Sequence, residues 1–285
     1  MLRRGVLLEP SNFTILYLFS FFFGSAIGSF LNVCIYRLPR EESIVFPPSN
    51  CTSCNNPIRF YDNIPMISYL FLRGKCRSCR ERISPVYLIV EVLSGLICAL
   101  LVWRFGFSLT TLFYFVFLSA LVVITFIDLE HMIIPNVITF PGIVVGIIYA
   151  GLKTDWNTAH LLFGSSRLNL ESIIRILNGV PIIDSIFGII LGGGVLFLIG
   201  FLYEVIRKRE GMGMGDVKLL AMIGAFLGWK GVIFVVFISS LIGTVVGISI
   251  ILYKRGDLKY AIPYGPFLSL AAALYCYTGG FSFRF

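Results

Sequence analysis

Apolar runs separated by short polar connections fill most of the chain. At about 20 apolar residues per membrane crossing, they predict about eight spans, near 13–36, 86–103, 108–128, 132–152, 186–206, 217–229, 231–253 and 260–279. The run 217–229 is the short one. At about 1.5 Å per residue it reaches about 20 Å, against a hydrocarbon core of about 30 Å, so it is expected to be re-entrant or to start below the surface. The first run, Ile15 to Tyr36, is too long for the apolar region of a secretory signal, and no small-residue cleavage site follows it. It reads as a retained first span.

Composition agrees with that pattern. Hydrophobic residues make up 57% of the 285 residues and charged ones only 13%, well below the charged share of soluble domains. The chain is therefore predicted to be an all-α polytopic membrane protein lying in a lipid bilayer. Its net charge of +8 does not point to nucleic acid, because the basic residues sit in short connections rather than on one soluble face. Arg37, Arg40, Arg59, Arg73, Lys75, Arg77, Arg80 and Arg82 fall in segment 36–85; Arg207, Lys208 and Arg209 follow the fifth run, and Lys254, Arg255 and Lys259 the seventh. These alternate with poorer connections at Arg104, 153–185 and Lys230, so the positive-inside rule makes the rich set cytoplasmic. Arg3 and Arg4 run against this orientation, which puts the N-terminus outside. Two crossings separate Asp128 from Asp216, so both acids are expected at the same, cytoplasmic, face.

Segment 37–85 carries Cys51-Thr52-Ser53-Cys54 and Cys76-Arg77-Ser78-Cys79. Each CxxC presents two sulfurs on one turn, and four thiolates fill the tetrahedral shell of Zn²⁺. Disulfides are the competing reading, but a cytoplasmic loop argues against them. No position is left open for water, so the metal is expected to be structural, substituting for a core that so short a segment lacks. The expected organisation is a first span at 1–36, a cytoplasmic zinc-binding domain at 37–85 and a membrane core at 86–285. Cys34, Cys98 and Cys276 lie in apolar runs and are expected only to pack.

The candidate acids border the runs. Asp128 ends the uncharged run Phe107–Ile127, and Asp216 lies in Gly211-Met212-Gly213-Met214-Gly215-Asp216-Val217-Lys218. Aspartyl chemistry needs two carboxylates, one activating water and the other polarising the scissile carbonyl. Gly211, Gly213 and Gly215, at alternate positions, allow positive φ and the close approach of another backbone, so that Asp216 can be held against an extended peptide; the alternative is that Gly213 and Gly215 form an ordinary turn and Asp216 caps the next helix. Gly24 and Gly28 form a small-xxx-small packing face, followed by Asn32 and Arg37, which could contact a ligand. Glu91, inside a run, reads equally as functional or as a hydrogen-bonded structural acid. Were Asp128, Asp216 and Glu91 to relay protons or cations, the chain would be an ion-coupled transporter; acids at one face and no evident repeat argue against that. His131 reads as a solvated interface residue, Pro135 fixes the start of the next span, and loop 153–185 carries no motif.

Taken together, these residues resemble the type IV prepilin peptidases, leader peptidases and N-methyltransferases of the GxGD aspartyl class. The resemblance is carried by Gly28-Ser29-Phe30-Leu31-Asn32-Val33 leading to Arg37-Leu38-Pro39, the paired CxxC, Asp128-Leu129 followed by Ile134-Pro135, Gly213-Met214-Gly215-Asp216-Val217-Lys218-Leu219-Leu220, and Ile262-Pro263-Tyr264-Gly265-Pro266-Phe267. Asn136 stands where many members have Asp, and Tyr264 where Phe is common. The resemblance implies Asp128 and Asp216 as the catalytic pair, the four cysteines as zinc ligands, and prepilins and pseudopilins as substrates, in the bacterial inner membrane with the active site facing the cytoplasm. It also implies methylation of the new N-terminal residue, usually Phe, by S-adenosylmethionine. That second activity rests on the resemblance alone, since no G-x-G-x-x-G follows a strand and Asp216 stands where its last Gly would fall. No residue is assigned to the methyl donor.

Overall fold

Helices account for the long apolar runs, as backbone groups in lipid must be satisfied within one segment. The computed structural model describes residues 10–155, 179–207, 213–253 and 262–278. They form α1 (Pro10–Arg37), a short α2 (Ile67–Phe71), α3 (Pro85–Phe105), α4 (Leu109–His131), α5 (Asn136–Lys153), α6 (Pro181–Ile189), α7 (Leu196–Arg207), α8 (Met214–Tyr253) and α9 (Gly265–Thr278). A π-helical stretch, Ile190–Val195, joins α6 to α7. Among the described residues there is no strand, only isolated bridges in the cysteine-bearing segment.

Six of these helical stretches are long and apolar enough to cross a membrane, where the hydrophobic pattern predicts about eight. Two features account for the difference. The runs expected at 217–229 and 231–253 are counted together within α8, whose two parts meet at Gly228. The described part of α9 is 14 residues, about 21 Å, and the chain beyond Thr278 lies outside the described residues. α8 is broken at Gly228, whose φ of 70° and ψ of −176° interrupt the helix. Asp184 of α6 reaches this break and its Oδ1 accepts the Trp229 N–H at 3.0 Å, capping the resumed helix. A Cβ at Gly228 would strike that carboxylate.

The chain divides into two compact units, Met1–Val123 and Ile124–Phe285. In the first, α1 packs along α3. A Cβ on Gly24 would stand 2.6 Å from the Ser94 carbonyl oxygen, and one on Gly28 2.8 Å from the Glu91 Cα, so the glycine face does serve close helix contact. Asn32 Nδ2 donates to the Tyr87 carbonyl at 3.0 Å. Glu91 is buried, and its Oε2 accepts the Met66 N–H at 2.7 Å, holding Met66 at a φ of 59°. Of the two readings open for Glu91, this contact supports the structural one. In the second unit, α8 packs against α5, α6 and α9, around buried Leu219, Leu220, Met222, Ile223 and Leu268. Val137, Phe140, Val144 and Ile148 of α5 stay exposed at helical spacing, the outward stripe that lipid contact calls for. Cys34, Cys98 and Cys276 are free and buried, as packing residues should be.

Candidate active site and metal centre

Asp128 lies one turn before the end of α4. The helix stops at Met132, whose positive φ of 54° breaks the repeat although its N–H still donates to the Asp128 carbonyl at 2.9 Å. Pro135 then sets the start of α5. The Asp128 side chain is buried, and its Oδ2 accepts the Gly265 N–H at 3.0 Å. That amide sits at the N-terminus of α9, where the helix presents partial positive charge to the carboxylate. Gly265 is required there: an added Cβ would lie 2.6 Å from Asp128 Oδ2. The preceding residue, Tyr264, ties the turn to α8, its hydroxyl lying 2.7 Å from Ser239 Oγ and 3.1 Å from Ser240 Oγ.

Asp216 is in the first turn of α8, again at a helix N-terminus that favours a carboxylate. Ile134 links the two acids. A Cβ on Gly215 would meet the Ile134 Cβ at 3.0 Å, and one on Gly265 would meet Ile134 Cδ1 at 3.5 Å. Glycine at both positions lets the start of α8 and the start of α9 close on the same side chain. The Asp128 and Asp216 carboxylates are then near enough to interact electrostatically. A second tie joins the starts of α5 and α8, with Lys218 Nζ donating to Asn136 Oδ1 at 2.9 Å.

The two acids differ in a useful way. Asp128 is buried and anchored by an amide, whereas Asp216 is only half-buried and its carboxylate accepts no hydrogen bond among the described residues. The Asp216 amide, not its side chain, closes the turn, donating to the Gly213 carbonyl at 3.1 Å; the capping alternative therefore finds no support. Of the three glycines before Asp216, Gly211 lies outside the described residues. Neither Gly213 nor Gly215 takes a positive φ; Gly215 is used for the approach of Ile134, and Gly213 is exposed. His131 is half-buried, with its Nε2 buried and without a partner among the described residues. The anchors Gly265 and Ile134 carried no assigned role in the sequence. Their signals were their places in two of the motifs that carry the resemblance, Ile134-Pro135 and Ile262-Pro263-Tyr264-Gly265-Pro266-Phe267, with the turn chemistry of the latter.

In the first unit, Cys51, Cys54, Cys76 and Cys79 come together with all four Sγ atoms within 4.8 Å of one another. The two turns repeat one design. Asn50 bridges Pro57, and Lys75 bridges Arg82; Asn55 and Arg80, each following the second cysteine, take positive φ of 54° and 61°; and Asn55 and Arg80 donate to the Cys51 and Cys76 carbonyls at 2.9 and 3.1 Å. A tetrahedral ion with metal–sulfur bonds of about 2.3 Å requires sulfur–sulfur edges of about 3.8 Å, and Cys51 Sγ lies 3.8 Å from Cys79 Sγ. The donor set thus fits a metal ion. The backbone N–H groups of Ser53 and Cys54 draw the Cys51 thiol down to about 6. Cys79, although the Glu81 amide acts to lower it, is pushed up to about 12 by burial and by the sulfurs around it. Four such sulfurs cannot all ionise together without a cation among them. Beside them the Arg77 guanidinium makes a bidentate contact with Asp62, Nε to Oδ2 at 2.9 Å and Nη2 to Oδ1 at 2.6 Å, which holds the Asp62 carboxyl below its usual range.

This is the architecture of a multi-pass α-helical membrane protein that pairs two acids at adjoining helix ends and gathers four cysteines in a separate segment. Residues 22–105 match the bacterial peptidase A24 N-terminal domain, and residues 115–248 match the type IV leader peptidase family. A protein named prepilin leader peptidase/N-methyltransferase from Pseudomonas putida is 32% identical over 272 residues, 87% of this chain and 85% of that one. The corresponding protein of Aeromonas salmonicida is 34% identical over 88% of this chain and 87% of its own, and that of Neisseria gonorrhoeae 34% over 79% of each. The chain belongs to the type IV leader peptidase family. No solved structure matches it.

Proposed function

We propose that the chain is a membrane aspartyl endopeptidase that removes the basic leader from type IV prepilins and pseudopilins and then N-methylates the new N-terminus, with Asp128 and Asp216 as its catalytic pair. The observation that carries this reading is the convergence of the two acids on Gly265 and Ile134. In such a pair one carboxylate takes a proton from the attacking water while the other, carrying a proton, donates it to the scissile carbonyl. The peptide bond breaks by direct attack of water, with no acyl-enzyme. Asp128 is held in place by the Gly265 amide, and Asp216 is the more exposed partner beside which the peptide enters. The family names support methylation as the second activity, with S-adenosylmethionine supplying the methyl group. No observation favours the ion-coupled transporter: Glu91 is engaged by the Met66 amide and belongs to the other compact unit.

The four cysteines hold one structural Zn²⁺, on the tetrahedral fit and the full thiolate set. Functionally the chain then comprises the span 1–36, the zinc-binding segment 37–85 and the peptidase core 86–285. The basic connections support an inner-membrane location with both acids facing the cytoplasm. Labelling in spheroplasts tests this: a cysteine placed at Ser108 should react with an impermeant reagent from outside, and one at Ser43 should not. The activity itself is tested by incubating purified protein with a pilin bearing its leader, with and without S-adenosylmethionine, and reading the product by mass spectrometry. Cleavage in both arms and a methylated N-terminus in one is expected; an intact leader would refute the proposal.

A further inference from the structure

The end of α1 closes one side of a cavity of about 380 Å³ in the first compact unit, within the range of small-molecule sites, about 300–1,000 Å³. Neither the acid pair nor the cysteine cluster contributes to it. Its lining includes Arg37, Ser29, Asn63 and Ser49, with an apolar wall that includes Phe30 and Val33. Arg37 decides what the cavity suits. The residue is only 7% exposed, and it has no carboxylate within ion-pair reach among the described residues, where the one ion pair joins Arg77 and Asp62. Two of its five N–H donors are used, Nη1 on the Ser43 carbonyl at 2.8 Å and Nη2 on the Pro47 carbonyl at 2.7 Å. These dipoles orient the guanidinium without neutralising it. A buried cation calls for an anionic partner, and a planar fork with donors to spare suits a carboxylate.

Resting on the methyltransfer reading above, we infer that this cavity binds S-adenosylmethionine, with Arg37 pairing the donor's carboxylate. That carboxylate is the donor's only anion. The Asn63 side-chain oxygen and the Ser29 and Ser49 hydroxyls offer acceptors for its ammonium and ribose hydroxyls, and the Phe30 ring offers a π face to its sulfonium. The apolar wall takes the adenine. Hydrolysis by the acid pair needs no cosubstrate, so methyl transfer is the reaction that leaves a small-molecule site to be found. A lipid phosphate is the other anion that could reach an arginine at a helix end, and the test separates the two.

The test is equilibrium binding to the purified full-length chain in nanodiscs, comparing S-adenosylmethionine with its decarboxylated analogue. The wild type should prefer the carboxylate-bearing ligand by about ten- to hundredfold, the scale of a charge-assisted pair, and Arg37→Gln should bind both alike. Should Arg37→Gln fail to fold, the wild-type preference still decides, and Val33→Phe, which fills the cavity, should weaken both ligands. Donor affinity should be equal in phosphatidylcholine and phosphatidylglycerol discs; displacement by the anionic lipid assigns Arg37 to a headgroup and overturns the inference. A wild type that methylates a cleaved pilin yet ignores the carboxylate overturns this site while the activity stands. A wild type that neither binds the donor nor methylates overturns both.

Discussion

Gly265→Ala offers the sharpest test of how the acid pair is held. The new methyl group would stand 2.6 Å from Asp128 Oδ2, where ordinary contact begins at 3.4 Å, so the carboxylate must retreat by about 0.8 Å. Retreat stretches the 3.0 Å bond from the Gly265 amide. A hydrogen bond to a charged group contributes about 1.5–3 kcal/mol, and a misplacement of about 1 Å in a catalytic constellation costs about 100-fold. The two estimates agree, since 100-fold is about 2.7 kcal/mol. Gly265→Ala should therefore lower kcat for leader cleavage by about 100-fold and leave KM within about threefold, because the disturbed interaction matters most in the transition state. Gly243→Ala is the control. Its Cβ would lie 3.6 Å from the Phe267 ring, an ordinary contact, and alanine is favoured over glycine in a helix by about 0.8–1 kcal/mol. Its rate should stay within about twofold of native. Steady-state cleavage of a fluorogenic leader peptide, with thermal unfolding to verify folding, gives both numbers. Near-native turnover by folded Gly265→Ala would show that the Gly265 amide does not set the position of a catalytic carboxylate.

Two further outcomes follow from the same geometry. Elemental analysis should find about one Zn²⁺ per chain; metal affinity should fall as pH is lowered, because protons compete for the thiolates, and Cys51→Ser should make segment 37–85 protease-sensitive. A metal-free native protein, or a Cys51–Cys54 disulfide after thiol trapping, would contradict this. Tyr264→Phe removes only the hydroxyl that meets Ser239 and Ser240; at about 1 kcal/mol for a neutral hydrogen bond it should slow cleavage about fivefold, and an unchanged rate would mean the turn before α9 needs no tether to α8.

What could be read from the sequence depended on how local the cause was. The membrane class, the helical runs, the glycine face of α1 and the cysteine cluster each follow from spacing within one segment, and each was legible. The way the two runs on either side of Gly228 are joined was not, since nothing local to either run shows the break there. What supports that break is Asp184, 44 residues earlier in the chain, and nothing in the local pattern of either segment announces the pairing. The acids themselves stood out, because a carboxylate at the border of an apolar run is costly and seldom incidental. Their anchors did not. Gly265 and Ile134 matter through contacts made only after α4, α8 and α9 have packed, and of the two freedoms the glycines of the Asp216 turn allow, positive φ and close approach, Gly215 uses the second. Arg37 was visible as a residue that could meet a ligand, but its burial without a carboxylate partner is a property of the folded segment alone.

The central claim is that Asp128 and Asp216 act as one catalytic unit. Asparagine at either position keeps the volume and removes the proton-transfer function. Single-turnover cleavage of a prepilin should be measured for Asp128→Asn, Asp216→Asn and the double variant, each shown by thermal unfolding to be folded and inserted. The account predicts that each single change abolishes leader cleavage and that the double variant is little worse than either, because residues working as a unit lose their effect together. Cleavage at near the native rate by folded Asp128→Asn, or losses that multiply in the double variant, would contradict it.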